Sequence, residues 1–594
     1  MLKKFFLTFL GSMAAIWISV LMFIVLTITF VAGIVGASMQ SSDIREHSIL
    51  HLCLSGSINE RNSSQNLQDI VLNGAETSSS FEEILDALRF AADDERIDGV
   101  YIECDGSDLG YASRAELRKA INRFKESSGK WVLAYGDSYS QGDYYVATTA
   151  DTIYLNPVGN LDIHGIASSV PYFKEALDKL DVDIQVFKVG TYKSAVEPFM
   201  LNSMSEPARM QTQLFIDSIW KNIAGEIGGA RKISTKAVYE LADSLTMSKT
   251  AEYCRQRKLT DKTAYRRQVE EVMRNLTGIE DDEDLRLVSP REYVNNADML
   301  NTYAELDRHI AVLFAEGDIT DDGNEGISAE SIVPEILQLA KDEKVAGMVL
   351  RVNSGGGSAF ASEQIWDAIR RFKAEGKPVY VSMGDYAASG GYYISCGADR
   401  IYAMPQTLTG SIGIFGIIPS IQGTLNNHLG IHLSTVKTGD NAETISITSP
   451  MNDYQKGEMQ RYIEHGYDTF VSRVAGGRHL STDSVKAIAQ GRVWDGTTAL
   501  HIGLVDRIGS LYDAITDLAR QLDMSPTAYV AYPELQLSPI DRLIASTVSN
   551  DMSMNERIFW KDIAPKDLNK TLKILQQITT LYPVQARMED ITLR

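Results

Sequence analysis

The chain matches itself, and that match limits what it can fold into. Ile121–Lys125 (INRFK) lies on Ile369–Lys373 (IRRFK), and Gly136–Pro157 (GDSYSQGDYYVATTADTIYLNP) lies on Gly384–Pro405 (GDYAASGGYYISCGADRIYAMP), both at an offset of 248 positions. Gly165-Ile166 then meets Gly413-Ile414. Upstream, LHLCLSGSINE resembles AVLFAEGDITD at an offset of 261, so the first copy is 13 residues longer there. Two copies of about 230 residues each are duplicated domains, not the many short units of a solenoid.

Each copy alternates short apolar runs (DGVYIEC and WVLAYGD; AGMVLRVNS and PVYVSMG) with amphipathic stretches (SRAELRKAINRFKES; SEQIWDAIRRFKAEG). Strand and helix periods in alternation predict βαβ units and a largely parallel sheet in each half. At 594 residues, 44% hydrophobic and 23% charged, the chain has room for several such units. Its formal net charge of -21 repels phosphate backbones, which excludes nucleic acid as an expected partner.

Phe5–Val35 carries no charge and is longer than the apolar core of a cleavable signal peptide, so it is expected to be a transmembrane signal anchor. Lys3 and Lys4 precede it and SMQSSDIREH follows, which by the positive-inside rule puts the N-terminus in the cytoplasm and the body outside. In a Gram-negative cell this is a single-pass inner-membrane protein with a periplasmic body. The expected organisation is N-terminus and anchor over 1–46, first repeat over 47–300, second repeat over 301–535 and a helical tail over 536–594. The polar stretch from Leu276 to Asn301 serves as the expected connector, and KDLNKTLKILQQITTLY gives the tail its helical pattern. Cys53, Cys104, Cys254 and Cys396 lie far apart with no CxxC pair, so buried thiols are expected, with neither zinc nor a redox dithiol.

Two glycine turns carry the chemistry. VLRVNSGGGSAFASEQI passes from strand to helix through Gly355, Gly356 and Gly357, whose amides are free to face a ligand as a phosphate cradle or as half of an oxyanion hole. No Walker lysine-serine ending follows. After the next strand comes Ser389-Gly390-Gly391, where a strand-to-helix turn would expose the serine and the Gly390 amide. Turns at the carboxyl ends of neighbouring parallel strands face one pocket. A lone serine here is more often a helix N-cap than a nucleophile.

Comparison of the copies favours the nucleophile. Gln141 stands in the register of Ser389, and CDGSDLG stands where the second copy has its glycine turn. The first copy instead keeps FKVGTYKSAVEPF, with Lys193 opposite Ala442. One half retains a serine and the other a lysine, so Lys193 is the expected proton acceptor for Ser389, a known substitute for histidine. To act near neutral pH its pKa must fall from about 10.4 to near 7, about 4 kcal/mol, which an apolar setting can supply. Lys188 is expected to be structural.

The set VNSGGGS, ASGGYYI, LTGSIGIFG and VGTYKSAVEPF resembles the signal peptide peptidase A family in its long, tandem-repeat bacterial form, over about residues 50 to 530. The resemblance implies two tandem Clp-protease/crotonase-like α/β domains and a serine-lysine dyad split between them. It also implies a homotetramer at the membrane that digests remnant signal peptides and similar apolar peptides. Ser389 is then the nucleophile and Lys193 the general base and acid. Gly357 and Gly390 are then the oxyanion donors, and Ser411 of TGSIG is expected to hold the lysine. The family commonly has proline where this chain has Gly355; the donors are main-chain, so function is expected to survive. No cofactor or metal is expected.

Other features have structural roles as their simplest reading. His428 and His432 flank Gly430, which disfavours the continuous helix that a metal pair at that spacing needs. Asp385 recurs as Asp137, and Tyr392-Tyr393 as Tyr144-Tyr145, so packing is the expected role of each. Acyl-CoA chemistry on the same kind of fold, or a non-catalytic membrane scaffold, are the alternatives that the dyad argues against.

Overall fold

The computed structural model describes residues 44–62, 79–280, 283–296, 307–323, 326–443, 445–532 and 584–588, with isolated helical positions 11, 13, 17, 19 and 22. The predicted anchor otherwise lies outside the described residues, among which no helix is long and apolar enough to cross a membrane.

Chain order gives the strands β1 (Ser48–Gly56), β2 (Ile97–Ser107), β3 (Trp131–Gly136), β4 (Thr152–Leu155), β5 (Asp183–Lys188), β6 (Lys262–Thr263) and β7 (Leu287–Val288) in the first half. The second half begins with β8 (His309–Glu316), β9 (Ile319–Thr320), β10 (Ile327–Ser328), β11 (Val345–Ser354), β12 (Gly356–Ser358) and β13 (Val379–Ala388). It continues with β14 (Arg400–Ala403), β15 (Leu408–Gly410), β16 (Phe415–Ser420), β17 (Val493–Asp495), β18 (Arg507–Ile508), β19 (Tyr529–Tyr532) and β20 (Val584–Arg587).

The first sheet runs β6-β4-β3-β2-β1-β7, all parallel. The second repeats that order as β18-β14-β13-β11-β8-β19, with β15 and β17 added beside the end of β13. The sequence offsets reappear in space: Ile97 and Val345 open equivalent strands 248 positions apart, and Ser48 and His309 open strands 261 apart. Strand alternation explains why both sheets are covered on both faces. Leu50, Leu52 and Leu54 of β1 join one apolar cluster while Ile49 joins another, and in β8 Ala311, Leu313 and Ala315 part from Ile310, Val312 and Phe314 in the same way.

Three expectations need correction. The connector is partly structural, because Leu287–Val288 pairs with Ile49 and Leu50 at the edge of the first sheet. The predicted helical tail contains a strand, β20, in its described part; the KDLNKTLKILQQITTLY stretch lies outside the described residues. Extended backbone at 584–587 is stabilised by neighbouring strands on both sides, a tertiary pairing that overrides local pattern. All four cysteines are free; Cys104, Cys254 and Cys396 are buried as expected, whereas Cys53 is exposed.

A third sheet, β10-β9-β12-β20-β16-β5, joins the halves. Its central event is the antiparallel pairing of β5 with β16, from Phe415 opposite Lys188 to Ser420 opposite Asp183. This ladder ties a first-half strand to a second-half strand only a few residues before Lys193.

Candidate active site

β13 ends at Ala388, and Ser389 follows at the N-cap of the helix Gly390–Ser395. Its backbone is left-handed, φ 54° and ψ -113°, and its hydroxyl caps nothing. An unstrained serine N-cap has extended dihedrals and bonds a backbone amide; this one turns its hydroxyl elsewhere, as a nucleophile on a tight strand-to-helix turn does. The Ser389 amide donates to Gly410 O at 2.8 Å, which anchors the turn to β15.

After β5 the chain turns through Gly190, and Lys193 arrives beneath the serine. Its Nζ is 2.8 Å from Ser389 Oγ, 3.1 Å from Ser411 Oγ and 3.2 Å from Ser411 O. Lys193 is 1% exposed, Ser389 0% and Ser411 2%, so the three groups meet out of water. Ser411 also has a left-handed backbone, φ 49°. The structure thus brings together the three side chains singled out in the sequence. Lys188 is a ladder residue opposite Phe415.

Several positioning contacts had no sequence signal. The Tyr192 amide donates to Gln490 O, and buried Gln211 donates to Tyr192 O and Ser194 Oγ while accepting from the Val493 amide. Gly491, φ 78°, lies directly under the lysine: a Cβ there would sit 2.6 Å from Lys193 Cβ and 2.7 Å from its Cα. Gln490, Gly491 and Val493 lie nearly three hundred positions from Lys193, and contacts between the halves are not disclosed by laying one copy on the other.

The two glycine turns also meet. A Cβ on Gly356, φ 107°, would lie 2.8 Å from Gly390 N, so the β12 turn rests against the helix start that follows the serine. Gly357 is in β12 and Gly390 opens the helix. Beside them a cavity of about 420 Å³ is lined by Phe360, Ile414, Ile445, Met459, Tyr462 and Val584, an apolar groove suited to a peptide.

The first copy holds the corresponding position closed. Gln141 Nε2 donates to Gly165 O at 2.8 Å and to Tyr111 Oη at 2.7 Å, while its Oε1 accepts from the His164 and Gly165 amides. The residues assigned to packing keep that role. Asp385 accepts from the Ala112 and Ser113 amides and from Ser113 Oγ. Tyr392 donates to Leu504 O and Tyr144 to Leu259 O. His428 pairs with Asp181 at 3.1 Å, and among the described residues no group of three or more His, Cys, Asp or Glu side chains could hold a metal.

The sequence matches the family model described as Peptidase family S49 over residues 124–280 and 371–525, and the Clp protease model over 297–409. It is 40% identical to Protease 4 of Salmonella typhi over 74% of this chain and 72% of that protein. It is 38% identical to Protease 4 of Haemophilus influenzae over 85% of this chain and 83% of that protein. A putative signal peptide peptidase SppA of Enterococcus faecium is 32% identical over 38% of this chain and 67% of that protein. The matched segments fall in both halves, one carrying Lys193's half and the other containing Ser389, and the two halves are tandem α/β domains of the Clp-protease kind. The chain belongs to peptidase family S49 and is a serine peptidase.

Proposed function

We propose that Ser389 is the nucleophile and Lys193 the general base of an endopeptidase that digests remnant signal peptides and similar apolar peptides. The observation that carries this reading is the 2.8 Å approach of Lys193 Nζ to Ser389 Oγ at a buried, strained turn. Burial disfavours an ammonium and so favours the neutral amine that a base requires. Neutral Lys193 takes the serine proton as Oγ attacks the peptide carbonyl, and the Gly357 and Gly390 amides stabilise the tetrahedral oxyanion. Ser411 holds the amine on line. The lysine ammonium protonates the leaving amine as the C–N bond breaks, and water, deprotonated by the same lysine, hydrolyses the acyl-serine.

The apolar groove beside the site and the signal peptide peptidase named among the relatives support the substrate class. The charge-free Phe5–Val35 supports membrane anchoring, with a periplasmic body in a Gram-negative cell. A homotetramer completes the proposal, by analogy with the family. A fluorophosphonate probe is expected to label the full-length chain, and labelling and hydrolysis of a signal-derived apolar peptide are expected to vanish in Ser389→Ala and Lys193→Ala. Labelling that persists in Ser389→Ala would overturn the assignment.

A further inference from the structure

The apolar groove beside the site carries a charge that the chain itself does not balance. Two carboxylates, Asp321 and Glu363, line it among Phe360, Ile414, Met459 and Tyr462. Glu363 is matched: Arg473 pairs with it at 2.6 Å and Tyr393 Oη donates to it at 2.6 Å. His465, also along the groove, is exposed. Nearby Asp318 has Arg587 at 3.1 Å. Asp321 is half-buried, and among the described residues no Lys, Arg or His pairs with it.

Asp321 is nonetheless held in place. Ser358 Oγ donates to Asp321 Oδ1 at 2.6 Å and accepts from the Ala361 amide at 3.2 Å, at the start of the helix Ala359–Ala374. Ser358 is 2% exposed and directly follows Gly357, so the carboxylate is tied to the glycine turn of the site. One bond to a hydroxyl leaves most of a carboxylate's acceptor capacity unused. The repeat supplies the comparison. At the offset that lays Gly56 on Gly317, Asp321 falls on Glu60. Glu60 receives its cation from within the chain, with Arg351 Nε and Nη2 at 2.9 and 3.0 Å. The same register in the second half faces the groove instead.

We propose that Asp321 selects peptides in which a lysine or arginine flanks an apolar run, by receiving that cation in the groove; this rests on the peptidase reading given above. A peptide entering the groove displaces water from the carboxylate, and an uncharged peptide leaves it unpaired in apolar surroundings at a cost. A lysine or arginine removes that cost, since its methylene stem lies along the apolar walls while its charged end reaches Asp321. An acidic flank meets a like charge and is rejected. Signal peptides have the preferred chemistry, a basic segment next to an apolar one. Apolar peptides that lack the basic flank are the poorer substrates.

Three peptides of one apolar sequence, flanked by lysine, by acetyl-lysine or by glutamate, test this with the full-length chain. Acetyl-lysine keeps the stem and loses the charge. Wild type is expected to favour lysine over acetyl-lysine by about tenfold in kcat/KM, and over glutamate by more. Asp321→Asn is expected to bring the ratio of lysine to acetyl-lysine near one, and Asp321→Lys to reverse the order in favour of glutamate. Fluorophosphonate labelling of each variant checks that its site is assembled. A role confined to holding Ser358 would lower all three rates together and leave the ratios unmoved, which overturns the proposal. Wild type that cuts the three peptides equally also overturns it, whatever the variants do, and leaves the proposed function standing. Wild type that cuts none of them defeats the proposed function itself, and the selection with it.

Discussion

Ser389 and Ser411 both sit at left-handed φ, 54° and 49°, a conformation costing a non-glycine residue on the order of 1–3 kcal/mol. Both are held there by main-chain bonds: Ser389 N to Gly410 O at 2.8 Å and Ser411 N to Arg492 O at 2.7 Å. The strain aims two hydroxyls at one amine, and that amine is held from below by a glycine. Gly491→Ala would place a methyl 2.6 Å from Lys193 Cβ at a φ that disfavours any side chain. The lysine must then move, and displacement of a base by about 1 Å lowers rate about 100-fold. Peptide hydrolysis by Gly491→Ala is expected to fall by about that factor in kcat with KM little changed; an unaltered kcat would show that Gly491 does not position the base.

At the scale of elements, the site depends on contacts between halves. The helix Tyr111–Ser128 begins at Gly110, which offers no side-chain cap. Asp385 from the other half supplies one, accepting from the Ala112 amide at 2.8 Å and the Ser113 amide at 3.1 Å. A Cβ on Gly110 would meet Asp385 Cγ at 2.2 Å, so the glycine leaves room for the carboxylate. Asp385→Ala is expected to lower stability by about 1–2 kcal/mol in urea titration, with Asp385→Asn recovering most of it; an alanine variant as stable as wild type would deny the cap a role. The sequence disclosed Asp385 as structural only through its repeat partner Asp137. The strands, the paired helices and the Ser389–Lys193 division were legible for the same reason, since duplication supplies an internal control at each position. The β5–β16 ladder, the Gly491 seat and β20 were not. The ladder and the seat are pairings between one half and the other, which laying one copy on the other does not disclose, and VQAR is too short to declare a strand without the edges that flank it.

Across the whole molecule, the halves meet around a buried charge cluster with one carboxylate more than its cation can balance. Arg351 donates through Nε and Nη2 to Glu60 at 2.9 and 3.0 Å and lies 2.8 Å from Glu116, all three being almost fully buried. Burial pushes the Glu60 carboxyl up to about 7 against the pull of Arg351, and burial likewise pushes Glu82 up to about 8 against that of Arg61. Between the unfolded carboxyl's usual value and these values, the folded chain holds protons that the unfolded chain has released. Stability from these groups is therefore fully present at acidic pH and is lost as pH rises through about 7 to 8. The thermal midpoint is expected to fall between about pH 5 and pH 8, although acid usually destabilises proteins whose carboxylates are paired. General repulsion in a chain of net charge -21 has the same sign, so the variants decide. Glu60→Gln carries no titrating proton and is expected to show a shallower decline than wild type up to about pH 7, with Glu82→Gln shallower up to about pH 8. Parallel curves for wild type and both variants would place the origin of the pH dependence elsewhere. Because the same interface carries Lys193 to Ser389, loosening it at alkaline pH opposes the gain in neutral lysine, and activity is expected to peak between the two effects instead of rising steadily with pH.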